Sequence, residues 1–214
     1  MDKKEIFSHI DHSALKAYTT WTEIEKLCEE ARQYGMASVC IPPSFVGKAK
    51  ATFGNTVNIC TTIGFPLGYS TTRVKVFETY DAIKNGADEI DMVVNLGFVK
   101  EGNFDAVTDE IRQIKDACGE KVLKVIVETC YLTDDEKKRL CQCVTQAGAD
   151  YIKTSTGFGT SGAVPEDILL FAQNIGDSIK IKAAGGIRSQ DDFMKFIELG
   201  CSRIGTSSAM VMTE

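Results

Sequence analysis

Eight short apolar, β-branched runs recur along the chain, and most are followed by a longer stretch with helical periodicity. The runs are Phe7–Asp11, Ala37–Ile41, Asn58–Phe65, Glu89–Asn95, Leu123–Thr129, Tyr151–Thr156, Lys180–Gly185 and Arg203–Ser207. Strand-like runs alternating with helical ones predict βα units on a parallel sheet. Between them, Thr22–Tyr34 sets Ile24, Leu27, Cys28 and Ala31 on one stripe, and Thr72–Lys84 sets Val76, Tyr80 and Ile83 on one face. Phe104–Ala117 repeats Val107, Ile111 and Ile114. Thr133–Ala147 opens on a cap residue, Thr133, followed by Asp134, Asp135 and Glu136, which suit the positive end of a helix dipole. Pro165 suits the first turn of a helix running to about Ile175, and Asp191–Leu199 is the last clear helical stretch.

A repeated phrase marks the hand-over from helix to strand. It reads Ile83-Lys84-Asn85-Gly86-Ala87-Asp88, then Gln146-Ala147-Gly148-Ala149-Asp150, then Glu198-Leu199-Gly200-Cys201-Ser202, with a weaker copy at Tyr34-Gly35-Met36-Ala37. Each glycine suits a left-handed helix end. Two architectures accommodate eight βα units, a closed barrel and an open doubly wound sheet. An open sheet built for nucleotides favours a G-x-G-x-x-G turn after its first strand, and nothing of that kind follows Asp11. A length of 214 residues fits one (β/α)₈ TIM barrel. The expectation is an α/β fold with a single barrel domain over residues 1–214.

Charge and composition narrow the partners. The net charge is −6 and no basic stripe is present, so neither nucleic acid nor an anionic membrane surface is expected to bind. No run of about 18 apolar residues predicts a membrane span. The polar start Met1-Asp2-Lys3-Lys4-Glu5 lacks a signal-peptide core, which makes a cytoplasmic location the expectation. The eight Cys form no C-x-x-C, and several lie in apolar runs, as buried reduced thiols do. Zinc-ligand spacing is missing, and no metal is expected.

Strands of a parallel barrel are buried on both faces and should read as almost continuously apolar, so charges inside them stand out. Three do: Asp91 in Glu-Ile-Asp-Met-Val-Val, Lys153 in Tyr-Ile-Lys-Thr-Ser-Thr, and Lys182 in Lys-Ile-Lys-Ala-Ala-Gly-Gly. Alternation turns their apolar neighbours toward the helices and the three charges toward the barrel axis. Barrel enzymes place their sites at the C-terminal ends of the strands. Lys153 and Lys182 fall on neighbouring strands, about 4.8 Å apart. Mutual repulsion and burial both favour the neutral amine that carbonyl attack requires. The competing reading is a structural ion-pair network, but two cations against one anion leave it uncompensated.

The loops after the seventh and eighth strands, Gly185-Gly186-Ile187-Arg188 and Gly205-Thr206-Ser207-Ser208, have the composition of a phosphate cradle. Glycines let backbone N–H groups approach, the serines add hydroxyl donors, and this is where such barrels build phosphate sites. Either loop alone also reads as an ordinary turn. Asp11, at the end of the first strand, is equally a substrate-hydroxyl acceptor and a loop carboxylate. His9 and His12 have no partner that assigns them chemistry.

The combined motifs resemble the deoxyribose-phosphate aldolases. Tyr151-Ile152-Lys153-Thr154-Ser155-Thr156-Gly157-Phe158-Gly159 resembles their Schiff-base lysine segment, Lys180–Arg188 their second-lysine and phosphate segment, and Ala87–Val93 the segment of their catalytic aspartate. Val39-Cys40-Ile41-Pro42-Pro43, Gly64-Phe65-Pro66-Leu67-Gly68 and Leu123–Thr129 are also similar, so the likeness runs from about residue 7 to 208. It implies reversible cleavage of 2-deoxy-D-ribose 5-phosphate to acetaldehyde and D-glyceraldehyde 3-phosphate, without metal or organic cofactor. Lys153 then carries the imine, Lys182 tunes it, and Asp91 helps relay protons through water. Asp11 matches the acid that contacts a substrate hydroxyl. Thr156, Gly157, Gly185, Gly186, Arg188, Gly205, Ser207 and Ser208 match substrate and phosphate positions.

Two positions depart from the family pattern. Many members carry a terminal Tyr that assists proton transfer, whereas the last Tyr of this sequence is Tyr151 and the last helix is short, about Ser208–Thr213. Some members carry Lys where Phe158 stands, which leaves only backbone contact to phosphate there. A related aldolase for a longer sugar phosphate and a non-catalytic sugar-phosphate sensor are the rival readings, and a sensor is expected to have lost a lysine or the aspartate. A homo-oligomer, dimer or tetramer, is left open by the sequence.

Overall fold

The structure, a computed structural model, describes residues 1–213, with backbone alone for Met212 and Thr213. The strands are β1 (Ile10–Ser13), β2 (Ser38–Ile41), β3 (Ile59–Ile63), β4 (Glu89–Val93), β5 (Val122–Ile126), β6 (Tyr151–Lys153), β7 (Lys180–Ala184) and β8 (Arg203–Thr206). Each pairs in parallel with the next, and β8 returns to β1, closing a barrel. The helices are α1 (Lys3–Ser8), α2 (Trp21–Tyr34), α3 (Pro43–Phe53), α4 (Thr72–Lys84), α5 (Leu96–Lys100), α6 (Phe104–Cys118), α7 (Asp134–Gln146), α8 (Pro165–Asn174) and α9 (Gln190–Glu198), with 3₁₀ turns at Thr129–Tyr131 and Ala209–Thr213. This is the (β/α)₈ TIM barrel that the alternation predicts.

Local chemistry explains the boundaries. Thr20 and Thr133 both start helices through capping boxes, with Glu23 and Glu136 returning to the cap backbone. Pro43 and Pro165 occupy first turns. Gly35, Gly86, Gly148 and Gly200 all take positive φ; Gly35 is itself the cap of α2, and the other three lie one residue beyond theirs. The main apolar layer lies between strands and helices, where Ile90, Ile152 and Ile181 meet Ile111, Val144 and Phe171. Seven of the eight thiols are buried and all are free. Burial pushes Cys28, Cys118, Cys141 and Cys201 up to about 12, so they behave as small apolar groups. No helix among the described residues is long and apolar enough to cross a membrane.

Three expectations need correction. The run Phe7–Asp11 is not one strand: Phe7 and Ser8 end α1, and β1 starts at Ile10. Asp2 caps α1, whose Ile6 and Phe7 are buried, and Phe7 packs on Tyr34 at a centroid distance of 4.9 Å. The run's two apolar residues, Phe7 and Ile10, stand three apart, a helical spacing that strand alternation does not match. Helix α3 has no counterpart in the sequence reading.

The third correction concerns α4, whose fully buried residues are Lys75, Thr79 and Ala82; Val76 and Ile83 pack partly buried against the core, while Tyr80, expected on the same face, is exposed. Lys75 donates to Val93 O at 2.8 Å and to Glu110 at 2.9 Å, while Glu110 also accepts from Asn95 N at 3.1 Å. This buried pair ties α4 and α6 to the C-terminal end of β4.

Candidate active site

Parallel pairing sets Lys153 beside Lys182 in register, and Asp91 beside Lys124. All four side chains point inward and are buried. Asp91 lies at their centre. Its Oδ2 accepts from Lys153 Nζ at 2.6 Å and from Lys182 Nζ at 2.7 Å, and its Oδ1 accepts from Lys124 Nζ at 2.9 Å and from the Cys60 thiol at 3.1 Å. Lys182 also donates to Asp11 Oδ2, and Lys124 reaches Glu89. Arg203 completes the group, donating to Asp11 Oδ1 and holding Glu89 at 3.1 and 3.2 Å. Ser38 Oγ donates to Asp11 Oδ1 at 2.7 Å.

Four cations thus share three carboxylates in a buried cluster. Burial raises the pKa of a carboxylate, but Lys124, Lys153 and Lys182 outweigh it at Asp91, which is held well below the usual range. Asp11 is likewise lowered, because attraction to Lys182, Lys124 and Arg203 exceeds the effect of burial. Burial alone would lower Lys182, yet Asp11 and Asp91 lift it above the ordinary lysine value, and Asp91, Asp11 and Glu89 do the same for Lys124. Both are held as ammonium ions. Lys153 has the single carboxylate Asp91, and shares it with two other lysines. The cluster carries one positive charge too many, and loss of one proton balances it. Lys153 is the member with the fewest acidic partners.

Above the cluster opens a cavity of ≈ 840 Å³ lined by Asp11, Lys153, Lys182 and the strand-end loops. Thr156, Gly157, Gly185, Gly186, Arg188, Gly205, Ser207 and Ser208 all line it; Asp91 does not, since it lies beneath the lysines. The loops are packed backbone to backbone. A Cβ at Gly162 would meet Gly185 O at 2.1 Å, and Ala163 N donates to both Ala184 O and Gly185 O at 3.1 Å. Gly185 and Gly186 take φ of 85° and 79°, the left-handed region that glycine enters freely. Thr206 Oγ1 donates to Ile187 O at 2.8 Å and accepts from Ser208 N at 3.0 Å, which joins the loops after β7 and β8. Ser207 and Arg188 are exposed at this rim.

The sequence reading brings together every residue it names, but it takes Asp91 as the only anion facing the lysines. The structure corrects that with Asp11, Glu89, Lys124 and Arg203. It also adds Glu128. This buried residue ends the β5 segment in the left-handed region, at φ 52°, a conformation that costs a non-glycine residue about 1–2 kcal/mol. Its carboxylate accepts from Thr156 N at 3.1 Å and from Thr156 Oγ1, and Thr156 Oγ1 in turn accepts from Phe158 N at 3.0 Å. Glu128 therefore sets the shape of the loop after β6. Phe158 leans on Phe65 edge to face at 5.4 Å.

Among the described residues, Cys40, Cys60 and Asp91 form a group with metal-donor chemistry, their donor atoms within 4.8 Å of one another. Asp91 already accepts from three lysines there, so a cation at this point meets the repulsion of Lys124, Lys153 and Lys182.

Comparison with known proteins gives one consistent result. The family model for DeoC/LacD family aldolases matches residues 1–210. A deoxyribose-phosphate aldolase of Clostridium botulinum (strain Eklund 17B / Type B) is 54% identical over 210 residues, covering 98% of this chain and 95% of that protein. One from Streptococcus agalactiae is 57% identical over 207 residues, covering 97% and 93%. Among solved structures, a tetrameric deoxyribose phosphate aldolase from Aeropyrum pernix superposes with a TM-score of 0.91 at 31% identity, covering 99% of this chain and 91% of that one. An aldolase called QR15 gives a TM-score of 0.93 at 39% identity, covering 97% and 94%. A barrel whose lysines converge beneath a loop-lined cavity, matched over nearly its full length by these proteins, is an aldolase, and the chain belongs to the DeoC/LacD family of aldolases.

Proposed function

We propose that the protein cleaves 2-deoxy-D-ribose 5-phosphate reversibly to acetaldehyde and D-glyceraldehyde 3-phosphate through an imine on Lys153. The observation that carries this reading is the excess of one cation over the carboxylates of the buried cluster, with Lys153 the cation that both opens onto the cavity and reaches the fewest carboxylates. The Lys153 nitrogen adds to C1 of the open-chain sugar, and loss of water gives a protonated imine. That imine is the electron sink for breaking the C2–C3 bond as the C3 hydroxyl loses its proton to solvent through water. The C3 fragment leaves as the aldehyde of glyceraldehyde 3-phosphate. The enamine left on Lys153 is protonated at C2 and hydrolysed to acetaldehyde, which restores the free lysine. Lys182 stays charged beside the reacting amine. Asp91, held ionised beneath the lysines, fixes the Lys153 and Lys182 nitrogens at the cavity floor while water in the cavity moves the protons. Asp11 holds Lys182 as an ammonium ion and faces the cavity on the side of the substrate hydroxyls.

The substrate's phosphate sits on Gly185–Arg188, Gly205–Ser208 and the Thr156–Gly157 turn, where backbone N–H groups, the two serine hydroxyls and the Arg188 guanidinium meet it. The other partners follow the same reading: a small sugar phosphate, no nucleic acid, no membrane, no metal or organic cofactor, and a cytoplasmic setting. The direct test is incubation with 2-deoxy-D-ribose 5-phosphate. Acetaldehyde and glyceraldehyde 3-phosphate are the expected products; their absence, with turnover of a longer sugar phosphate instead, overturns the substrate assignment.

Two further outcomes test the cradle. Ser207→Asp brings a carboxylate to the phosphate and is expected to lower kcat/KM for the phosphorylated sugar about 100-fold, with little effect on unphosphorylated 2-deoxyribose. Equal losses on both place the phosphate elsewhere. Glu128→Gln cannot accept from both Thr156 groups as the carboxylate does, and loses about 1–2 kcal/mol of loop order. KM for the phosphorylated sugar is expected to rise about tenfold while kcat holds. A fall in kcat at unchanged KM counts against this positioning role.

A further inference from the structure

The buried cluster has a second end, away from the cavity. Lys153, Lys182 and Arg203 are Cα partners in one row across β6, β7 and β8. Lys153 is the last residue of its strand and Arg203 the first of its own. Because barrel strands are tilted, such a row runs from the cavity end toward the N-terminal end. Glu89, the first residue of β4, meets Arg203 there and accepts from both of its terminal nitrogens at 3.1 and 3.2 Å. Neither residue lines the substrate cavity. Their side chains are 13% and 7% exposed, so the pair is mostly shielded from water. The buried Tyr151 ring adds to that shield, its centroid 5.6 Å from the Arg203 guanidinium carbon.

Both residues reach the reacting end through other side chains. Arg203 Nη1 donates to Asp11 Oδ1, and Asp11 Oδ2 accepts from Lys182. Glu89 contacts Lys124, which donates to Asp91 Oδ1, while Asp91 Oδ2 accepts from Lys153 and Lys182. Every strand contributes a titratable or charged group here. They are Asp11 from β1, Cys40 from β2, Cys60 from β3, Glu89 and Asp91 from β4, Lys124 from β5, Lys153 from β6, Lys182 from β7 and Arg203 from β8. We propose that Arg203 and Glu89 are a positioning pair for the aldol reaction, setting from the far end of the barrel the pH at which the Lys153 amine becomes reactive.

The proposal rests on the imine reading above and adds a sign to each residue. Arg203 is one of four cations set against three carboxylates, so its charge opposes a proton on Lys153. Glu89 is one of the three carboxylates, and its charge favours that proton. Without Arg203, three cations face three carboxylates and the Lys153 proton is accommodated. Without the charge of Glu89 the balance moves the other way, and without both the excess of one returns. Water that would screen such charges at a surface is largely excluded here. Arg203 also holds Asp11 Oδ1 together with Ser38, which leaves the other Asp11 oxygen to Lys182. A pair that merely pinned β8 to β1 and β4 would have no sign: either loss would harm the enzyme, and losing both would harm it no less.

The experiment is kcat/KM for 2-deoxy-D-ribose 5-phosphate from about pH 5.5 to 10 in the wild type, Arg203→Met, Glu89→Gln and the double variant E89Q/R203M. Borohydride trapping of acetaldehyde on Lys153 accompanies each profile. Arg203→Met is expected to move the acid limb up by about one pH unit, a loss of about tenfold on that limb that recovers as the pH rises. Glu89→Gln is expected to move the limb down by about the same amount. The double variant is expected to return it to the wild-type position, as coupled charges do. Arg203→Lys keeps the charge and is expected to keep the limb. Arg203→Met leaves two buried carboxylates short of a partner; if circular dichroism shows it unfolded, the near-isosteric Glu89→Gln and the double variant carry the test. An unmoved limb in Glu89→Gln overturns the proposal, as does loss at every pH in both single variants with no return in the double. A wild type that traps no acetaldehyde on Lys153 overturns the imine reading itself, whereas trapping there with an unmoved limb overturns this proposal alone.

Discussion

Lys153→Leu is expected to abolish aldol cleavage, by about 10⁴-fold or more, as loss of a covalent nucleophile does. The same change is expected to end the trapping of acetaldehyde. In the wild type, acetaldehyde forms an imine on Lys153, and borohydride delivers hydride to its carbon, leaving an N-ethyl-lysine that peptide mass spectrometry locates. Three buried lysines compete for this role. Lys124 contacts Asp91 and Glu89, approaches Asp11, and does not line the cavity. Lys182 lines the cavity but donates to two carboxylates and is raised above the ordinary lysine range by them. Lys153 lines the cavity and reaches a single carboxylate, Asp91, which it shares with both other lysines. Leucine fills a comparable volume with no nitrogen, which separates loss of chemistry from loss of packing. An adduct on Lys182, with Lys153 unmodified, reverses the two assignments. Survival of activity in Lys153→Leu overturns the imine altogether.

The inward charges on β4, β6 and β7 are legible in the sequence because a parallel barrel strand has no solvent-facing side to excuse a charge. Asp91 and Lys182 stand between apolar neighbours and Lys153 between Ile152 and Thr154, and all three converge. Lys124 obeys the same rule between Leu123 and Val125, and its alternation alone predicts an inward ammonium. Glu89 and Arg203 are harder to read. Each is the first residue of its strand, where a charge reads as one that faces water. Their inward placement follows from barrel closure, which sets the start of β8 beside β1 and brings Arg203 to Asp11. Glu128 shows a different limit. Its role depends on a backbone conformation, φ 52°, that no residue type announces unless it is glycine. On α4 hydrophobic periodicity finds Val76 and Ile83, which pack against the core, but it also puts exposed Tyr80 on their face and passes over Lys75, a buried lysine satisfied by Val93 O and Glu110.

Lys182→Leu is expected to change the pH dependence of the reaction as well as its rate. Lys153 and Lys182 donate to the same oxygen of Asp91, at 2.6 and 2.7 Å, so their nitrogens are close neighbours. Two unit charges about 5 Å apart at an effective dielectric constant of about 20 repel by about 3 kcal/mol. That repulsion opposes protonation of Lys153 as long as Lys182 is charged, and Asp11 and Asp91 keep it charged. Without Lys182 the buried cluster holds three cations and three carboxylates with Lys153 protonated, so nothing expels its proton. About 3 kcal/mol corresponds to roughly 100-fold in the population of free amine. Activity at pH 7 is expected to fall by about that factor and to climb toward the wild type as rising pH removes the proton directly. Lys182→Arg keeps the charge and is expected to retain more activity, within the room left for the broader guanidinium. Lys124→Met removes a charge from the far side of Asp91 without touching the cavity, and the same argument gives it a similar alkaline displacement. The measurement is kcat/KM from about pH 6 to 10 for all three variants. A Lys182→Leu profile parallel to the wild type removes the electrostatic role. Loss at every pH in Lys182→Leu, with Lys124→Met unaffected, assigns Lys182 to direct proton transfer instead.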